Sequence, residues 1–355
     1  MRRRILTFGL MLAVLTMQAQ QQRDQATHHA YIEAVDEYLP APGQFTNDMP
    51  EYTDGDTPAT MAAKCTTILQ ANSTGDDDNK GLIGLGAYGG YITFHFDHSV
   101  ANIPGQADLR IVGNAFGETG NTLGGSSEPG IIMVSKDVNH NWVADDPWYE
   151  LSGSADVDSI GKVVYGYELT YQRAPMQDIP WTDNQGQQGV VSRNTFHQQE
   201  YFPLWVSSDA LTFRGTLLPK SGVRSTTGYI QLYYRCGYVD NRPDDTTFDI
   251  ANAVDDQRQP VQLDFIDFVR VYCATNQAYP MIGETSTEVS IAEDNHLQAS
   301  LDAIQQAASG INAATTVRPA VSECYSVDGC RQAVVGRGLT IARMADGSVR
   351  KVIKN

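Results

Sequence analysis

The chain is poor in basic residues. Its 355 residues include 25 Lys and Arg against 42 Asp and Glu, which gives a formal net charge of −17 at pH 7. The imbalance is stronger between residues 21 and 310, which hold 15 of the basic and 39 of the acidic residues. Such a body repels nucleic acids and anionic lipids, so neither is expected as a partner. Dense carboxylates instead favour sites for hard cations.

Apolar runs of membrane-spanning length are also missing. Residues 5 to 17 are apolar, but the stretch is too short to cross a bilayer. It follows Arg2–Arg4 and ends at Gln18-Ala19-Gln20, a pattern typical of a signal peptide cleaved near Ala19. We therefore predict a signal peptide over residues 1–19 and a mature protein that is exported, with no transmembrane segment.

Cysteines are few, five in all. Cys324 and Cys330 flank a Ser-Val-Asp-Gly turn, which suggests a hairpin disulfide. Cys236 and Cys273 each lie in a β-like run and can pair only if their Cα atoms come within about 7 Å. Cys65 would then be the odd residue. The alternative is that all five are reduced and buried, because one sequence does not define connectivity.

Familiar catalytic motifs are absent. The sequence has no Gly-x-Ser-x-Gly, no His-Glu-x-x-His, no phosphate-binding loop and no dinucleotide-binding fingerprint. Catalysis therefore has no local signature, and we expect a binding protein before an enzyme. A polysaccharide-active enzyme stays open as an alternative, because the carboxylate pair of a glycosidase is close in space rather than in sequence.

Short β-like runs separated by Gly, Asn, Asp and Pro fill the sequence from about residue 65 to 273. In Tyr91 to Phe96 the side chains alternate in character, which is typical of a sheet with one buried face. We predict an all-β fold, a β-sandwich or jelly roll. The predicted strands are 90–96, 109–112, 130–135, 148–151, 166–171, 210–213, 228–234 and 266–272.

The predicted domain organisation has four parts after the signal peptide. An N-terminal segment (20–37) precedes the sandwich (38–292). Residues 293–320 form a helix or linker, with Leu297, Leu301 and Ile304 on one stripe and Gly310 as a stop. Three short β runs form a small C-terminal tail over residues 321–355, which is close to the minimum for independent folding.

Residues 137–150 place oxygen-bearing side chains at alternate positions, as calcium loops do. We predict a bound calcium ion with a structural role. The candidate ligands are Asp137, Asn139, Asn141, the carbonyl of Val143, Asp145, Asp146 and Glu150. Trp142 stands where such loops use Gly, and Trp148 where they use a bidentate Glu. The alternative is therefore an Asn/Asp-rich surface turn.

Two more residues are predicted to support this loop. Glu128, at the start of one strand, and Asn114, after another, are placed to meet it from neighbouring strand ends, where they would orient the ligands. The alternative is ordinary turn capping.

The long connection 172–209 combines aromatic rings with amides, which is the composition of sites for sugars or planar ligands. It exceeds a normal hairpin loop and is therefore a candidate functional loop. The candidate ligand-binding residues are Trp181, Asp183, Asn184, His197, Tyr201 and Trp205. The alternative is a crossover whose aromatic side chains pin it to the sandwich.

The C-terminal tail resembles the sorting tails of secreted Bacteroidota proteins. The matching positions are Tyr325, Gly329, Arg331, Gly338, Ile341, Lys351 and Ile353. Cys330 departs from the pattern, because a basic residue often stands there. The resemblance implies export across the outer membrane by a type IX route and a location at the cell surface.

The body, about residues 38–297, resembles a family of Bacteroidota cell-surface proteins, some with polycystic-kidney-disease-type modules. The matching stretches include 38–45, 111–116, 127–130, 180–186, 194–205, 248–250, 265–272 and 283–288. The resemblance implies location and fold more than activity. We expect a surface protein that binds a glycan, a small molecule or an outer-membrane partner. Some relatives are associated with corrinoid uptake, which implies a cobalamin-capture alternative with His197 at the pocket rim.

Overall fold

The computed structural model describes residues 28–75, 80–118, 122–225, 228–280, 282–308, 321–326, 329–332, 338–344 and 349–354. The fold is all-β and sandwich-like, as predicted, with several antiparallel sheets. The predicted signal peptide lies outside the described residues. Within them, no helix has both the length and the apolar character that a membrane crossing requires.

Twenty-five strands and two α-helices are present in the described part of the chain. The strands of the first half are β1 (Ala34–Leu39), β2 (Ile83–Gly84), β3 (Tyr91–Ala101), β4 (Leu109–Val112), β5 (Phe116–Gly117), β6 (Gly124–Ser126), β7 (Gly130–Ser135), β8 (Trp148–Leu151), β9 (Val164–Gln172) and β10 (Ile179–Asp183). Those of the middle are β11 (Gln188–Val191), β12 (Ala210–Leu217), β13 (Gly222–Arg224), β14 (Tyr229–Leu232), β15 (Thr247–Phe248), β16 (Ala253–Val254), β17 (Phe265–Cys273), β18 (Ala278–Tyr279) and β19 (Gly283–Glu284). The last are β20 (Glu288–Val289), β21 (Ile291–Asp294), β22 (Val321–Ser326), β23 (Arg331–Gln332), β24 (Gly338–Met344) and β25 (Val349–Lys354). The helices are α1 (Pro58–Thr74) and α2 (Leu297–Ala308), and a 3-10 turn spans Ile250–Asn252.

A six-stranded sheet with the order β1-β3-β17-β7-β8-β16 forms the centre of the body. Its strands alternate in side-chain direction, so one face carries Ile92, Phe94, Val134 and Val271, all buried in the main core. Apolar burial of this kind contributes roughly 25 cal/mol per Å² of area removed from water. This face therefore provides the main stabilisation of the sandwich.

The opposite face of the central sheet is covered at one end by a second sheet, β11-β10-β9-β12. Tyr88, Tyr167, Tyr171 and Phe213 build a separate aromatic core there. Tyr91 of β3 packs edge-to-face on Phe213, with ring centroids 6.3 Å apart. The second sheet therefore covers only one end of this face, and the end that carries His95 and Trp148 is less covered.

Helix α1 was not predicted from the sequence. Its buried residues Met61, Cys65 and Leu69 recur at every fourth position and pack against the main core. The termini carry clear signals, because Thr57 caps the first turn, Pro58 follows it, and Gly75 ends the helix in a left-handed conformation. Both the spacing of its buried residues and its terminal signals therefore mark this helix.

The C-terminal segments have the predicted character. Helix α2 packs on β3, and the Ser300 hydroxyl accepts a hydrogen bond from the Ala101 N–H. The tail is a four-stranded sheet with the order β23-β22-β24-β25.

The disulfide differs from the two pairs considered in the sequence. It joins Cys236 of the body to Cys330 of the tail, whereas Cys65, Cys273 and Cys324 are reduced and buried. Cys324 faces Gln332 in the β22–β23 register, so Cys330 is not directly across from it. Cys273 lies in the main core. The disulfide therefore ties tail to body.

Candidate functional site

The acidic loop over residues 137–146 brings the predicted oxygen ligands together. Asp137 is buried, and its two carboxylate oxygens accept hydrogen bonds from the N–H groups of Asn141 (3.1 Å) and Trp142 (2.9 Å). The amides of Asn139 and Asn141 each donate to Asp145, both at 3.1 Å. The alternate side chains therefore form a hydrogen-bonded network within the loop.

The remaining loop ligands are also engaged. Asp146 accepts a hydrogen bond from the Val138 N–H at 3.0 Å, and the Val143 carbonyl accepts one from Asp145 at 2.8 Å. Trp142, at the position where Gly is usual, has φ +55°, the left-handed region that side chains avoid. Trp142 therefore takes a backbone conformation that Gly adopts more easily. The same hydrogen bonds also satisfy a simple turn.

Glu150 lies away from this loop. Its carboxylate accepts hydrogen bonds from the hydroxyls of Thr216 and Tyr272 and pairs with Arg258 at 2.6 Å. Asn114 and Glu128 lie away from the loop as well, each beside Asp240 and Glu288. Sequence proximity suggested one site where the structure has three separate environments.

The predicted ligand-binding loop is largely a packing element. Tyr201 is 1% exposed and belongs to the aromatic core, whereas Trp205 is 8% exposed and stacks on Tyr38 and Tyr52 near the main core. The two rings therefore lie in different cores and do not form a common stacking surface. The crossover reading fits these two residues better than the ligand-site reading.

The other predicted ligand-binding residues serve local structure. Trp181 is half-buried against the aromatic core. Asp183 caps the β10–β11 hairpin by accepting the N–H groups of Gln185 and Gln187, and Asn184 donates to the Gly166 carbonyl at 2.8 Å. The His197 ring packs edge-to-face on Phe45, with centroids 4.7 Å apart. The structure does not bring the six residues to one surface.

A different set of polar and aromatic side chains does share one surface. Across strands β3, β17 and β7, Thr93 lies opposite Arg270, and Arg270 lies opposite Met133. In the neighbouring row of paired residues, which also crosses β8, His95 is at one end and Trp148 at the other. Directly paired residues point to the same side of a sheet. We call these five residues the polar face; it is the less covered end of the central sheet.

Arg270 is the centre of the polar face. Its guanidinium lies 4.3 Å from the centroid of the Tyr91 ring and 4.7 Å from that of Trp148, and it donates to the Thr93 hydroxyl at 2.8 Å. Cation–π contacts on two rings fix the direction of this charge. The polar face is therefore preorganised rather than a collection of mobile side chains.

His95 adds a titratable group to the polar face. Its ring lies 2.9 Å from an Asp36 carboxylate oxygen, and this hydrogen bond raises the pKa of His95 despite partial burial. Trp142 of the acidic loop contacts the same ring, with centroids 6.5 Å apart. The acidic loop therefore forms one rim of the polar face.

A cavity of about 380 Å³ opens beside the polar face. Its wall includes the rings of Trp148 and Tyr165, the guanidinium groups of Arg214 and Arg258, and the carboxylate of Glu150. Arg258 stacks on Tyr165 at 4.7 Å, and burial raises the pKa of that phenol. Aromatic rings with a few oriented polar groups are what a site for a polar ligand needs.

Signals for this site in the sequence are weak. Trp148 and Arg270 lie in strands that were predicted, but their meeting depends on the strand order of the sheet. Neither a protein-family model nor a curated protein sequence matches the chain.

Proposed function

We propose that this chain is an exported cell-surface protein that binds a glycan or another small polar ligand on the polar face and in the adjoining cavity. The observation that carries the proposal is the clustering of Trp148, Tyr165 and Arg214 around one opening, with Arg270 stacked on the Trp148 ring. Sugars stack their apolar faces on aromatic rings and use charged groups for oriented hydrogen bonds. The export and the surface location rest on the signal-like N-terminus and the tail resemblance.

The acidic loop has a supporting role in this proposal. A calcium ion held by Asp137, Asn139, Asn141 and Asp145 would fix the rim that carries Trp142. Carboxylate and amide oxygens are the ligands that calcium prefers. Calcium would then stabilise the site and would not take part in chemistry.

Titration with a glycan panel tests the ligand, with binding followed by tryptophan fluorescence and calorimetry. Trp148→Ala should weaken binding at least about tenfold, since stacked aromatic anchors often contribute 2 kcal/mol or more. Trp181→Ala is the matched control, because this tryptophan packs on the second sheet, and its affinity should stay within about twofold of wild type. An equal loss of ligand affinity in Trp148→Ala and Trp181→Ala would count against the proposal. So would a failure of the protein to bind any glycan or cobalamin.

Hydrolysis is the second candidate function. The carboxylates of Glu150, Asp255 and Asp256 line the same cavity, and a glycosidase requires two such groups. Release of reducing sugar from the glycan that binds, abolished in Glu150→Gln, would favour the enzyme over the binding protein.

A further inference from the structure

Three carboxylates from distant parts of the sequence meet beneath the start of strand β7. Glu128, Asp240 and Glu288 each place a carboxylate oxygen within 4.8 Å of the others. Asp240 is 3% exposed and Glu288 1%, whereas Glu128 is partly buried. We call these residues the buried carboxylate cluster. It is distinct from the acidic loop, which follows the other end of β7.

The cluster has no cationic partner in the described part of the chain, where no Lys, Arg or His lies within 4.0 Å of its oxygens. Glu288 Oε1 is buried and has no hydrogen-bond donor among the described residues. Isolated buried charges cost several kcal/mol each unless something neutralises them. A bound cation or bound protons are therefore needed to neutralise the three carboxylates.

Asp240 is held as a charged acceptor. Its Oδ1 accepts the Asn114 N–H at 2.7 Å, and its Oδ2 accepts the Glu288 N–H at 2.9 Å. The Asp240 carbonyl also accepts the Glu128 N–H at 2.8 Å. Hydrogen bonds from two backbone donors favour an ionised carboxylate. The backbone thus frames the cluster before any ligand arrives.

The side-chain amide of Asn114 completes the ring of polar groups. One of its terminal atoms lies 3.2 Å from both Glu288 Oε2 and Asp240 Oδ1. With nitrogen there, the amide donates to both carboxylates. With oxygen there, it faces the same centre as the carboxylates and supplies one more oxygen ligand. The Asn114 amide can therefore serve the cluster with or without a cation.

Bound protons are the alternative to a cation in this cluster. Burial raises the pKa of Glu128, Glu288 and Asp240, and repulsion from neighbouring carboxylates raises those of Glu128 and Glu288 further. A proton shared between Glu128 and Glu288 would relieve the repulsion of that pair and give the unpartnered Glu288 Oε1 a donor. Such a proton joins only two carboxylates, whereas a cation contacts all three at once.

We propose that Glu128, Asp240 and Glu288, with the Asn114 amide oxygen, form a buried binding site for a calcium-like cation. An all-oxygen set fits this class, because calcium takes six to eight oxygen ligands and zinc prefers nitrogen and sulfur. Mg²⁺ fits less well, since it keeps several waters and this site is largely buried.

The cation would clamp four segments of the body. Asn114 follows β4, Glu128 precedes β7, Asp240 follows Val239, which pairs with Gly130, and Glu288 begins β20. These segments span more than half of the described chain. The ion would therefore stabilise the fold by linking segments that are far apart in sequence.

Calcium titration of the full chain after removal of bound metal tests the proposal. Glu288→Gln should lose one calcium per chain or bind it at least about 100-fold more weakly, since even indirect partners of a metal contribute 10- to 100-fold. Glu284→Gln is the matched control. Glu284 is 3% exposed, lies four residues away and likewise has an unpartnered oxygen, Oε2, but it is not a member of the cluster. It should bind calcium as wild type does.

Unchanged stoichiometry and affinity in Glu288→Gln would overturn the proposal. If that variant does not fold, as judged by circular dichroism, Asp137→Ala decides the question, because it disables only the acidic loop. One calcium per chain should remain in Asp137→Ala, with a calcium-dependent rise in melting temperature of at least about 5 °C. Loss of all calcium binding in Asp137→Ala would overturn the proposal.

Discussion

The buried carboxylate cluster lies at the start of strand β7, and the acidic loop follows its end. Both regions bring several carboxylates close together, but they offset the negative charge in different ways. The loop takes its oxygens from adjacent residues, is mostly exposed, and satisfies its carboxylates with its own N–H groups. The cluster takes its oxygens from four distant segments and leaves Glu288 Oε1 without a donor. Only the second arrangement needs a bound cation or bound protons to offset its buried charge.

The difference shows how far the spacing of acidic residues in a sequence can predict a cation site. A regular pattern of Asp and Asn in the sequence is compatible with a plain turn, because water and backbone groups satisfy the exposed oxygens. Buried carboxylates without counterions point more strongly to a ligand. Burial and unsatisfied atoms are therefore better guides to a cation site here than the motif.

The largest expected effect comes from Asp240→Ala. It removes the acceptor of two backbone N–H groups and one proposed metal ligand, so we expect a loss of about 3 kcal/mol in unfolding free energy in calcium. Asp145→Ala, the matched change in the exposed loop, should cost less than about 1 kcal/mol. Urea denaturation measures both. Similar losses of unfolding free energy in Asp240→Ala and Asp145→Ala would show that the cluster and the loop do not differ in their contribution to stability.

A smaller effect is expected from Gly113→Ala. A Cβ there would lie 2.4 Å from Asp240 Oδ1, so the carboxylate must move although no charge changes. We expect a loss of about 2 kcal/mol and weaker calcium binding. Gly81→Ala is the control, because its Cβ would meet only Ile68 at 3.7 Å. Wild-type stability and calcium affinity in Gly113→Ala would show that the position of Asp240 does not matter.

The smallest effect is expected from Trp142→Gly in the loop. Trp142 has φ +55°, a conformation that costs a non-Gly residue of order 1 kcal/mol and that Gly adopts freely. Calcium should therefore bind the loop a few-fold more tightly, as measured by titration in a Glu288→Gln background. Weaker loop binding in Trp142→Gly would mean that the contact of the ring with His95 outweighs the backbone strain.

Much of the fold could be predicted from alternating hydrophobicity. The bounds of β4, β7 and β8 match the predicted strands, because each strand has a buried face and flanking turn residues. Helix α1 was missed because Ala and Thr outnumber large apolar residues in it, although Met61, Cys65 and Leu69 recur at every fourth position and Thr57, Pro58 and Gly75 mark its ends. The Cys236–Cys330 disulfide joins residues 94 positions apart, and spacing alone could not select it.

The sites were predictable only where they are local. Asp137, Asn139, Asn141 and Asp145 take part in hydrogen bonds within one loop, and calcium binding by them stays a prediction. The aromatic residues of the long connection were open to two readings, and the structure buries Tyr201 and Trp205. The polar face and the buried carboxylate cluster depend on strand order and on long-range contacts, so their residues had no shared local signal.

Crystallographic anomalous scattering from protein crystals grown with calcium tests the comparison most directly. Our account predicts two calcium peaks per chain, one within the acidic loop and one among Glu128, Asp240 and Glu288. The second peak should vanish in Glu288→Gln, whereas the first should remain. A map with density at the loop alone, or at neither position, would contradict the account.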